Sequence, residues 1–169
     1  MRMLLLFLFA ALTPISDATA EPLSELKPLA PFVGIWTETK AQDAKGSPDV
    51  QSWEWAFRGQ VMRIMHGSGS YGGESLIHWD GNKGKIMFRY VTNAGFYTDG
   101  VITPVDGGFS SHEIIGGTAS GPKQIRAEYR ISDAGKMLVT VKAKNGDKWE
   151  NAFAVIYIRT PAAIVTYEN

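Results

Sequence analysis

The chain has 169 residues, no cysteine and only three histidines. The first absence removes disulfides, thiolate chemistry and lipid attachment at a lipobox. The second leaves little for a metal. His66, His78 and His112 fall in separate segments with no His-Glu-x-x-His or paired Cys and His spacing, so a zinc site would need ligands converging from different strands. An excess of charge is missing as well: 17 Lys and Arg balance 17 Asp and Glu, and the basic residues are scattered. That excludes the electrostatic footprint of a nucleic-acid or anionic-membrane binder. There is no Gly-x-Ser-x-Gly elbow. The glycine-rich stretch Gly67 to Gly73 precedes a strand, not a helix, so it lacks the positive helix terminus that cradles phosphate. It reads as a mobile hairpin loop at the mouth of the fold.

The one long apolar run is at the N-terminus. Arg2 supplies a positive charge, Met3 to Leu12 is apolar, and Ala18-Thr19-Ala20 is a small-x-small cleavage site. The run is shorter than the roughly 18 apolar residues that a spanning helix needs. The expectation is a secretory signal over residues 1–20, then a single domain over residues 21–169, periplasmic or secreted, with no membrane span after cleavage.

What the sequence does contain is β-branched and aromatic runs punctuated by glycine, asparagine and aspartate. Leu23 to Leu29 can form one or two helical turns, with Ser24 as N-cap and Pro28 and Pro31 limiting their length, and is expected to lid one end. Ten strands follow, over residues 34–42, 51–57, 61–66, 74–79, 85–92, 96–103, 109–115, 123–131, 137–144 and 149–159. The turns between them carry the Gly and Asn that tight hairpins need. Consecutive hairpins without helices imply an antiparallel meander, which hides its edges most simply by closing. The fold class is therefore all-β, an up-and-down barrel of about ten strands with a short helical cap; an open sandwich is the alternative.

Alternation within strands separates two faces. Trp53, Trp55 and Phe57 share one side of a strand, and Phe88 with Tyr90 repeat the pattern; Glu54, His66, Arg89 and Tyr97 are assigned to the opposite side. The aromatic side is expected to face inward. Residues 152–158 are apolar on both faces, which suits a strand covered by the N-terminal segment or a partner.

Gly34-x-Trp36 at the start of the first strand, with Arg159 closing the last, resembles the calycin superfamily of lipocalins, fatty-acid-binding proteins and nitrobindin-like barrels. Within it, residues 29–36, Trp53-Glu54-Trp55, Tyr71-Gly72-Gly73-Glu74 and residues 95–100 are similar to an uncharacterised bacterial domain family. The resemblance implies that Arg159 packs over Trp36 and bonds local carbonyls at a closed end, making Gly34, Trp36 and Arg159 structural. Nitrobindin-like barrels hold haem through a late histidine, and no histidine follows Glu113 here, so no cofactor is expected and haem stays a minor alternative.

The function expected is binding or carriage of a small hydrophobic or amphipathic molecule. Trp53, Trp55, Phe88 and Tyr90 would line the pocket, and Arg63, His66, Tyr97 or His112 would orient a polar end. Two alternatives stand beside it. An enzyme would use His66, His112 or Glu113 for acid–base chemistry, with two of them in hydrogen-bond reach inside a pocket. An interaction module would have a barrel filled by its own side chains.

Overall fold

The computed structural model describes residues 21–40, 46–118 and 120–166; the expected signal segment lies outside them. The strands are β1 (Gly34–Glu38), β2 (Val50–Ala56), β3 (Val61–Ser68), β4 (Tyr71–Asp80), β5 (Lys85–Thr92), β6 (Tyr97–Val105), β7 (Gly108–Gly116), β8 (Gln124–Ile131), β9 (Met137–Asn145) and β10 (Lys148–Arg159). Each pairs antiparallel with its sequence neighbours, and β10 returns to β1 to close the barrel. Closure pairs both edges of the meander, which an open sandwich would leave exposed. The expected all-β, up-and-down barrel is the architecture observed, and it is consistent with a calycin-like barrel.

The closed end is built by the N-terminal segment. Ser24–Phe32 is a 3-10 helix containing Pro28 and Pro31. Each proline removes a backbone donor, so the segment stays in tight turns and does not propagate as an α-helix. Ser24 is not the cap: Leu23 holds that position without a side-chain bond, and the Ser24 hydroxyl donates to Glu25. The segment buries Leu26, Leu29 and Phe32 completely or nearly so. Phe32 meets Trp53 and Phe109, with ring centroids 5.4 and 4.9 Å away, so the floor of the barrel is aromatic.

Beside that floor the first and last strands are clasped. Trp36 lies opposite Arg159 in register, and the guanidinium sits 4.1 Å above the indole centroid. Arg159 also donates 2.6 and 2.5 Å bonds to the carbonyls of Val33 and Pro31, while Trp36 Nε1 donates to the Phe32 carbonyl at 2.7 Å. Gly34 has φ 130°, and a Cβ there would stand 2.6 Å from Arg159 Nη1. Glycine is required because the arginine fills the space that a side chain would occupy.

Three expectations need correction. Residues 67–73 do not form a loop: β3 and β4 run through them and leave Gly69-Ser70 as the turn. Gly73 pairs with His66 and Thr92 within the sheet, and it is glycine because a Cβ there would meet the Tyr90 ring at 2.5 Å. Phe57 leaves the aromatic wall, since β2 ends at Ala56 and both Phe57 and Arg58 adopt positive φ in a tight turn that exposes the ring. The outer face of β10 is not covered by the N-terminal segment among the described residues; that segment caps the barrel end, and Ile156 and Ile158 stay exposed.

Arg159→Ala removes a cation–π contact and two charge-assisted bonds to carbonyls that join the barrel's ends. The expected loss is about 2 kcal/mol, read as a lower urea midpoint with unchanged slope, and Arg159→Lys recovers less than half of it because one ammonium cannot fork to both carbonyls.

Candidate functional site

Inward-facing residues divide into two layers. Near the closed end Trp36, Trp53, Met62, Ile77, Phe88, Phe109 and Met137 are buried and packed together. Toward the open end Gln51, Ile64, His66, Ser75, Tyr90 and Ile125 keep intermediate exposure although they point inward, while Glu38, Thr98 and Glu113 on the same inner face are buried. The lower half is packed with apolar side chains and the upper half is polar and in part accessible. The apolar floor follows from cross-strand pairs such as Trp53 with Ile64 and Trp55 with Met62, in which large side chains meet on one face.

The upper half is a polar network centred on Asp49, which precedes β2. His66 Nδ1 lies 2.9 Å from Asp49 Oδ1, and Tyr157 and Gln51 each donate to Oδ2 at 2.9 Å. His66 Nε2 lies 2.5 Å from the Tyr90 hydroxyl, which in turn lies 2.6 Å from that of Tyr71 at the rim. A carboxylate only accepts, so His66 Nδ1–H, Tyr157 and Gln51 all donate to Asp49. The contacts of His66 Nε2 with Tyr90 and of Tyr90 with Tyr71 continue the network to the rim. Trp53 Nε1 also joins it, donating to Gln51 Oε1 at 3.0 Å. Burial pushes the hydroxyls of Tyr71, Tyr90 and Tyr157 up, and the Asp49 charge adds to each. They remain neutral donors.

Two more carboxylates enter the same space. Glu38, 6% exposed, lies opposite Tyr157 and two residues above Trp36; its Oε2 accepts the Asp49 backbone N–H at 3.1 Å, and Oε1 has no partner among the described residues. Glu113 on β7 is buried and accepts from Ser111 at 2.6 Å and Thr98 at 2.9 Å. Desolvation raises its carboxyl above the ordinary value, and the two hydroxyl donors offset that only in part. Tyr129 is pushed up first by burial and then by the charges of Glu113 and Asp49.

Of the residues expected to line or orient a ligand, the structure places Trp53, Trp55, Phe88, Tyr90 and His66 on the inner face. His66 is thus moved from the outer set: it opposes Gln51 on β2, on the same face as Ile64 and Met62. Arg63, Tyr97 and His112 are corrected the other way. Strand parity carries Arg63 outward to Glu74 and Glu54, puts Tyr97 beneath the Arg89 guanidinium, and sets His112 against Trp149. His112 cannot act inside the barrel with His66 or Glu113. Asp49, Glu38, Tyr157 and Tyr129 were not singled out in the sequence. The alternation of Asp49, Gln51 and Trp53 would have shown that Asp49 faces inward.

Among the described residues no three of His, Asp and Glu converge to hold a metal ion. A haem iron does not fit either: it would need a free imidazole nitrogen, and both nitrogens of His66, the inward histidine, are engaged. No protein-family model matches this chain, and no curated protein is significantly similar to it.

The raised carboxyl of Glu113 fixes a sign. The folded state holds this proton more tightly than the unfolded chain, so stability from this site is full below the ordinary carboxyl range near 4.5 and is lost as pH rises through the raised value. Glu113→Gln, which mimics the protonated acid, is expected to raise the melting temperature at pH 8 and to leave it nearly unchanged at pH 4. An equal shift at both pH values would contradict the assignment.

Proposed function

We propose that this protein is a calycin-like carrier, exported from the cytoplasm, that holds a small amphipathic molecule in the upper half of its barrel. One observation carries the reading: the closed end is packed with apolar side chains, while above it Gln51, His66, Ser75 and Tyr90 point inward and keep accessible surface. The lower aromatic layer, Trp53 and Phe88 with Ile64, offers an apolar floor, and the Asp49 network offers fixed polar groups near the mouth. This is the usual composition of a small-molecule site, apolar walls with a few placed polar groups.

The Asp49–His66–Tyr90 chain has the residue types of an acid–base relay. Its members nonetheless saturate one another: His66 has no nitrogen left for a substrate, and Asp49 already accepts three side chains. Their role here is to hold the rings and hydroxyls that line the site in one arrangement, as rigid supporting shells do.

Filling the lumen tests this. Ser75 faces inward between Ile64 and Tyr90, so Ser75→Phe is expected to weaken binding of the neutral fluorophore N-phenyl-1-naphthylamine at least tenfold while the protein still melts cooperatively. Unchanged binding by the variant, or no binding by the native protein, would sink the proposal.

A further inference from the structure

The charge of the lumen is one-sided. Glu38, Asp49 and Glu113 face it, and His66 is the one basic side chain among them. The other cations near either end stand apart from it: Arg159 is stacked at the closed end, Lys148 and Lys40 are exposed, and Lys123 and Lys144 sit on the outer rim, where Lys123 donates to the Thr118 carbonyl. Inside the lumen an anionic head group would therefore meet carboxylates, with no arginine or lysine among the described inward-facing residues below the rim. Glu38 adds an independent observation. It is more than nine-tenths buried on the inner face, one of its oxygens is held by the Asp49 N–H, and the other has no partner among the described residues. Buried carboxylate oxygens are ordinarily bonded, so this one is an acceptor awaiting a donor.

The surrounding rings suit the same chemistry. Tyr157 lies directly opposite Glu38 in register, and Tyr90 and Tyr129 face the same lumen, opposite Ser75 and Phe109. Aromatic faces attract cations, and an ammonium group placed between rings and a carboxylate satisfies both. We infer that the ligand carries a protonated primary or secondary amine on an apolar body, and that Glu38 receives its N–H beside Asp49. A carrier of fatty acids would need the opposite lining. A quaternary ammonium would satisfy the charge and the rings but leave the Glu38 oxygen without a hydrogen bond.

This inference rests on the lumen-binding reading and can fail separately from it. Calorimetric titration with octylamine, octyltrimethylammonium, 1-octanol and octanoate compares head groups on one tail. Octylamine is expected to bind at least tenfold more tightly than 1-octanol, octyltrimethylammonium to fall between them, and octanoate to bind most weakly. Glu38→Gln should abolish the preference for octylamine and leave 1-octanol unaffected, which also verifies that the variant is folded. Octanoate binding as tightly as octylamine, or a preference for octylamine that Glu38→Gln leaves intact, overturns the amine assignment and spares the carrier reading. Failure of all four to bind the native protein overturns both. If the variant does not fold, the order of head groups on the native protein decides alone.

Discussion

Everything above the floor of this barrel depends on the stack of Arg159 on Trp36. The two residues belong to the last and first strands, and they meet only if the meander has come full circle. A ten-strand sheet has two edges to protect, and the pairing of β10 with β1 removes both at once. The arginine then reaches past the sheet to the carbonyls of Val33 and Pro31, tying the strand closure to the segment that plugs the end. One side chain couples the sheet's circumference to its floor. Gly34 is part of the same device, since any side chain there would displace the guanidinium.

A sealed floor changes what the polar residues above it can do. With one end plugged by the N-terminal segment, the polar groups of the upper lumen are arranged around the other end. Asp49 gathers donors from the β2–β3 hairpin and from β10, and closure is what brings β10 to that hairpin. The exposed ion pairs outside, such as Arg89 with Asp99 and Arg63 with Glu74, add little by comparison because solvent screens them. The organised electrostatics of the molecule are inside.

The fold was largely legible because its determinants are local. Turn chemistry and strand alternation place most elements within a residue or two, and the Gly34, Trp36 and Arg159 pattern anticipates the closed end. Errors arose where a long-range contact reassigns a local signal. Glycines 67, 72 and 73 suggest a loop, but Gly73 is small because Tyr90 of the neighbouring strand lies across it. His66 was placed on the wrong face because its strand was read as ending there; the register against Gln51 decides its direction, and register is a property of two strands. The candidate site was less legible for the same reason. Asp49 looks like a turn residue next to Pro48, and only closure brings Tyr157 to it.

The directed hydrogen bonds around Asp49 have one more consequence. Trp53 donates its indole N–H to Gln51, and Gln51 donates to Asp49, so a ring of the apolar floor is tied by two bonds to the carboxylate that also holds His66 and Tyr157. A change at the mouth that draws Asp49 away would loosen the indole's bond without touching the ring. The dry layer and the wet one are mechanically a single unit.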